Sequence, residues 1–111
     1  MNEAHFGVEL TEGAESDLEA IHNYIAGNRS VDAAEVLLDA FVDKLSTLER
    51  YPERDNVPKE LEALGVREFR QVLLDPYRLI YRVSGEKVVI LLIADGRRDM
   101  QALLERRLLG R

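Results

Sequence analysis

The chain has 111 residues, no cysteine, 46% apolar residues and a formal net charge of −6. That length fits one domain, residues 1–111, with one small core, and the missing cysteines exclude disulfides and thiolate metal ligands. The opening MNEAHFGVEL has neither the basic start nor the apolar run of a secretory leader, and no stretch reaches membrane-spanning length, so a soluble cytoplasmic protein is expected.

The charge is uneven. Residues 1–65 hold 15 acids against 5 bases, a net of −10, and residues 66–111 hold 10 bases against 6 acids, a net of +4. Such asymmetry points to a charged partner for one half, or to halves that complement each other across the fold.

Phe6 to Leu10 alternates, with Phe6, Val8 and Leu10 on one face, and predicts a first strand. Thr11 stands where an N-cap would, with Glu12 and Glu15 in the first turn to meet the positive helix end. Ala14, Leu18, Ile21 and Ile25 follow at helical spacing, and Gly27-Asn28 is read as the stop. Ser30 caps a second helix whose apolar stripe is Ala34, Leu37, Leu38, Phe41, Leu45 and Leu48, closed by Pro52. A linker of about three residues makes the pair an antiparallel hairpin. On the second helix Asp32, Glu35, Asp39 and Asp43 recur at intervals of three and four. Like charges at that spacing each cost a few tenths of a kcal/mol. The stripe is either a solvated face or a docking surface for a basic partner segment.

Residues 53–65 are polar and read as a loop with one helical turn around 59–64. A sheet is then predicted: a strand over 67–74, a turn at Asp75-Pro76, a strand over 77–83, a hairpin at Ser84-Gly85-Glu86, and a strand over 88–94. The last of these is apolar at every position, so both its faces need cover, from the C-terminal segment or from a partner. Gly96 ends it, Asp99 can cap, and Met100, Leu103, Leu104 and Leu108 form a short amphipathic helix that needs packing to persist. Its Arg106 and Arg107 have the right sign for a helix C-terminus. The fold class is therefore α+β: an N-terminal strand, a helical hairpin packed on an antiparallel sheet, and a short C-terminal helix.

Phe69-Arg70, then Asp75-Pro76-Tyr77-Arg78-Leu79-Ile80-Tyr81-Arg82-Val83, then an apolar strand and Gly96-Arg97-Arg98-Asp99 resemble the RelE/ParE superfamily of bacterial toxins. The resemblance covers nearly the whole chain and implies a toxin of a type II toxin–antitoxin pair, held inactive by a cognate ParD-like antitoxin. RelE-like members are ribosome-dependent messenger RNA endoribonucleases. That cleavage needs a base, cations for the phosphorane and an acid. Arg70 and Arg78 match the sheet arginines of that cluster, but arginine stays protonated, no Tyr or His follows Tyr81, and Asp95 stands where many relatives carry His.

ParE-like members are described as poisons of DNA gyrase that act by binding, and the residues favour this branch. The overall acidity also argues against broad RNA affinity, which many phosphate contacts drive. The nuclease stays open as the alternative, as does a degenerate member that only binds antitoxin. The target-binding candidates are Arg70, Arg78, Arg82, Arg97 and Arg98. The antitoxin-binding candidates are Asp32, Glu35, Asp39, Asp43, Arg70 and Arg78. No catalytic residue, cofactor or metal site is assigned; His5 and His22 are read as structural, and Tyr24, Tyr51, Tyr77 and Tyr81 as core-edge residues. The bland alternatives are strand arginines paired with Glu68 or Glu86, and a 97–99 corner serving only to cap the last helix.

Overall fold

The computed structural model describes residues 5–111; the first four, part of the segment read for a leader, lie outside the described residues. β1 (Gly7–Leu10) leads into α1 (Glu12–Asn28) through Thr11, whose Oγ1 accepts the Ala14 N–H at 3.1 Å. The helix ends at Asn28, at the predicted Gly27-Asn28 stop. Asn28 donates its side-chain amide to the Tyr24 carbonyl at 2.8 Å, and Arg29 is the C-cap. Ser30 Oγ accepts the Ala33 N–H at 2.9 Å and starts α2 (Val31–Ser46), so only Arg29 and Ser30 join the helices. A 3₁₀ turn, Thr47–Glu49, carries Leu48 into the core ahead of Pro52.

The polar segment holds one turn of helix, α3 (Lys59–Glu62). β2 (Arg70–Leu74), β3 (Tyr77–Ser84) and β4 (Lys87–Asp95) then form an antiparallel meander, and α4 (Met100–Leu109) ends the fold. β2 begins at Arg70, later than the predicted 67, because Phe69 has already turned into a second core. In the sheet order β1-β4-β3-β2, β1 pairs parallel with β4, Gly7 opposite Lys87 through Leu10 opposite Ile90, an arrangement that sequence periodicity does not specify.

The all-apolar β4 is explained by a bulge. Ile80 lies opposite Leu92 and Tyr81 opposite Ile90, so Leu91 is the extra residue and the alternation shifts there. Val88, Ile90 and Ile93 face the helical hairpin with Phe41, Leu45, Val72, Leu79 and Tyr81. Leu92 and Ala94 face the other way, under Leu61, Phe69, Met100, Leu103 and Leu104. The second cover is thus the C-terminal helix together with α3. Burying side chains such as Leu92, Leu103 and Leu104 contributes roughly 1.5–3 kcal/mol each, which holds a ten-residue helix that would be marginal alone. Asp99 Oδ1 accepts the Ala102 N–H at 3.1 Å, the cap expected of it. No helix of the described residues is long and apolar enough to cross a membrane.

Candidate functional site

The strand register divides the sheet arginines. Arg70 lies opposite Tyr81 and Val72 opposite Leu79, so Arg70 is on the hairpin face; Arg78 lies opposite Leu73 and shares the α4 face with Ile80 and Arg82. Residues directly opposite in an antiparallel pair point to one side, so Arg70 and Arg78 do not form one cluster.

Arg78 is committed to the interior of that face. Its two terminal nitrogens donate to the two Glu60 oxygens at 2.8 Å each, and Nε donates to Gln71 Oε1 at 2.8 Å. The two side chains are only 12% and 11% exposed, and the Arg78 guanidinium holds the Glu60 carboxyl below its usual range. The pair pins α3 to the sheet. Neither Glu68 nor Glu86 is the partner, and nothing in the local sequence marks Glu60 for that role. The stem of Arg78 also explains the glycine of the corner. A Cβ on Gly96 would sit 2.8 Å from Arg78 Cδ and 3.2 Å from the Pro76 carbonyl oxygen, to which the Gly96 N–H donates at 2.8 Å.

Arg70 is half-buried and donates to the Asp55 carbonyl at 2.6 Å, beside an open polar pocket that Arg54 and Arg67 also line. Tyr81, expected at the core edge, is fully buried. Its hydroxyl is hydrogen-bonded to the Pro52 carbonyl oxygen and lies 2.9 Å from Asp55 Oδ2, and burial, then Asp55, pushes its pKa far up. Arg82 is exposed at the opposite end of β3 from the Gly96 corner, about 13 Å along the strand from Arg78.

At the corner, Arg97 is 78% exposed and grips Asp95 through Nε and Nη2, the shortest contact 2.6 Å. That contact and the Arg97 backbone N–H hold Asp95 down at about 2. Arg98 is exposed and makes no side-chain ion pair or hydrogen bond among the described residues. Both arginines stand on the rim of a groove of about 620 Å³ between the second half of α1 and the end of β4, with Ile21, Tyr24, Tyr77 and Ile93 in its walls. The Tyr77 ring packs on Phe41 at 5.3 Å, and burial raises its pKa, so it remains a neutral phenol.

One polar cluster has no forerunner in the sequence reading. Asp17 accepts from Arg107 Nη1 and Nη2 at 3.0 Å each, and its Oδ2 also accepts the Ile93 N–H at 3.0 Å. Arg107 Nη2 in turn donates to the Leu91 carbonyl at 3.2 Å. β1 pairs β4 only as far as Ile90, so this pair satisfies the edge groups that β1 leaves open and ties α1 and α4 to them. Gly13 allows it: a Cβ there would stand 2.8 Å from Arg107 Nη2. Asp17 and Arg107 carried a signal only as opposite charges on helices, 90 residues apart.

The acidic residues Asp32, Glu35, Asp39 and Asp43 are all exposed on α2, and among the described residues only Glu35 has a Lys, Arg or His nitrogen within 4 Å, the imidazole Nε2 of His22 at 3.7 Å. No group of three or more potential ligands that could hold a metal ion occurs among the described residues.

Both the sequence and the fold match known proteins. The sequence fits the family described as "ParE toxin of type II toxin-antitoxin system, parDE" over residues 8–100. This chain belongs to the ParE toxin family. It is 30% identical to Toxin ParE3 of Caulobacter vibrioides over 94 residues, 85% of this chain and 90% of the relative. Its fold is similar to a chain of the chromosomal ParDE toxin–antitoxin system from P. aeruginosa, with a TM-score of 0.70, 22% identity, and 84% of this chain and 98% of that one covered. It is also similar to a chain of the RelBE2 toxin–antitoxin complex from Mycobacterium tuberculosis, with a TM-score of 0.58, 25% identity and coverage of 85% and 94%. As a ParE-family chain it is a toxin of a type II toxin–antitoxin system, with the α+β fold of the ParE and RelE toxins.

Proposed function

We propose that this ParE-family toxin acts in the cytoplasm by binding and inhibiting DNA gyrase, as a single domain over residues 1–111, and that a cognate ParD-like antitoxin neutralises it. The observation that carries the binding mechanism is the chemistry around the exposed arginines. Asp95, the nearest carboxylate, is held at about 2 by Arg97, which makes it a poor base, and burial keeps Tyr77 protonated. Transfer of a 2′-hydroxyl proton needs a base poised near neutral pH. His5 and His22 stand beside Glu49 and Glu35, away from the corner. Arg97 and Arg98 are therefore suited to recognition, with Arg82 a second contact point at the far end of β3, while Arg78 and Arg70 support the surface from within. The two solved relatives come from complexes or systems named for toxin and antitoxin together, which supports an antitoxin partner here.

A supercoiling assay tests this reading. Purified protein should inhibit gyrase, Arg98→Glu should weaken the inhibition at least tenfold without lowering the melting temperature, and added antitoxin should restore supercoiling. Codon-specific cuts in messenger RNA on translating ribosomes would replace gyrase inhibition with the nuclease mechanism. Antitoxin binding with neither activity would identify a member that has lost its toxicity.

A further inference from the structure

We propose that the polar pocket walled by Arg54, Arg67 and Arg70 binds a terminal phosphate group, that of a nucleotide or of a nucleic-acid end. The pocket measures about 490 Å³. Asp55, Asn56 and Glu62 complete it, and among the described residues Val57 is its one apolar wall. The loop on one side is tied to the sheet. Arg70 Nη1 donates to the Asp55 carbonyl at 2.6 Å, the Gln71 N–H donates to the Asn56 carbonyl at 2.9 Å, and the buried Tyr81 hydroxyl is hydrogen-bonded to the Pro52 carbonyl. Arg70 lies opposite Tyr81, and Tyr77 opposite Asp95, so the pocket stands about 13 Å along β3 from the Gly96 corner. It is a separate site.

Arg70 is half-buried, uses one of its five N–H groups on a neutral carbonyl, and has no carboxylate partner among the described residues. A guanidinium drawn partly out of water without a counterion is costly, and an anion removes that cost. Arg54 lies 5.4 Å over the Tyr51 ring and makes no side-chain hydrogen bond or ion pair among the described residues. Stacking occupies the face of a guanidinium and leaves its N–H edge for an acceptor. Arg67 meets Glu62 at 3.3 Å with both side chains exposed, a pair that gains little over hydration and can yield to a stronger acceptor. The other carboxylate, Asp55, has its Oδ2 held 2.9 Å from the Tyr81 hydroxyl. Three cations against two acids leave the pocket positive in a chain whose net charge is −6.

The donor set selects the ligand. A carboxylate offers two coplanar oxygens, which one arginine can fill. A terminal phosphate carries about −1.5 to −2 and presents three acceptor oxygens, one for each guanidinium. None of the described walls is aromatic, so the pocket has no platform for a base and reads the phosphate alone. A single site also agrees with the acidity of the chain, which opposes binding that rests on many phosphate contacts.

The test is an NMR titration of the full chain at constant ionic strength in chloride. Inorganic phosphate should move the amides of Asn56, Val57 and Gln71 and saturate below about 10 mM. Arg54→Gln with Arg67→Gln should weaken binding about tenfold, and because both side chains are exposed this variant keeps its fold. Arg70→Gln should abolish binding, whereas Arg29→Gln, which removes the same charge from an exposed site elsewhere, should leave it unchanged. A 5′-mononucleotide should bind like inorganic phosphate, and its nucleoside should not bind. A short 5′-phosphorylated DNA strand that binds about tenfold tighter than the mononucleotide assigns a nucleic-acid end as the source, and equal binding assigns a free phosphomonoester. Equal binding by the same strand without its 5′ phosphate would overturn a site for terminal phosphate. No saturable shift with inorganic phosphate, or the same affinity in the Arg54–Arg67 double variant as in Arg29→Gln, would overturn the site altogether. Gyrase inhibition is read separately, so neither failure touches the proposed function.

Discussion

Two sets of arginines in the basic half behave in opposite ways. Arg78 and Arg107 each bind a carboxylate through two nitrogens, are mostly covered, and join elements far apart in sequence. Arg97 and Arg98 lie at an exposed corner, where Arg97 is ion-paired to its near neighbour Asp95 and Arg98 makes no side-chain ion pair or hydrogen bond among the described residues. Removing one partner of a covered pair leaves a charge without solvent or counterion, whereas an exposed pair gains little over its hydration. The first set builds the fold. The second is left over for a partner.

Substitutions can break this contrast. The largest effect is expected for Arg78→Ala, which strands Glu60 between α3 and the sheet and should cost about 3–5 kcal/mol in urea unfolding. Arg107→Ala frees Asp17, the Leu91 carbonyl and the end of α4, and should cost about 2–3 kcal/mol. It should also raise amide exchange in Met100–Leu109 ahead of α2, whereas equal exchange in the two helices would show that apolar packing alone holds α4. Tyr81→Phe leaves the Pro52 carbonyl without its hydroxyl partner and should cost about 1–2 kcal/mol. Arg97→Ala should leave the melting temperature unchanged within error while weakening gyrase inhibition. A fall in stability as large as that of Arg78→Ala would erase the distinction.

The pH dependence sharpens the same contrast. The folded pKa of Glu60 is lowered from 4.5, chiefly by the hydrogen bonds from Arg78. The stability this adds is complete above 4.5, the unfolded value, and is lost as pH falls through the folded value. The difference in unfolding free energy between the wild-type chain and Glu60→Gln should therefore be largest near neutrality and shrink below pH 4.5. Tyr81 has the opposite sign. Its pKa is raised from 10, so its contribution is intact below pH 10 and declines above it, a decline that Tyr81→Phe should remove.

Local rules made most of the elements legible in the chain. Thr11, Ser30 and Asp99 cap because their side chains reach an N–H three residues on, a relation within one turn. The apolar stripes of both hairpin helices and the alternation of β3 reach the core as spacing predicts. The corner and the strand before it carried enough pattern to suggest the superfamily. Asn28, read as part of the stop, is the last residue of α1, and its amide satisfies the Tyr24 carbonyl of the final turn.

The partners of the arginines were not legible, because they depend on which elements meet. Opposite charge nominated Glu68 and Glu86 near Arg78, and Glu60 took the place only because α3 folds over the α4 face. Arg70 and Arg78 looked alike in sequence, but the strand register put them on opposite faces. The all-apolar β4 implied two covers; the bulge at Leu91 and the docking of α4 decided which residues each cover takes. Periodicity, capping and turn chemistry act within a few residues and are written in the sequence. Ion pairs spanning 18 and 90 positions exist only after packing has brought their elements together.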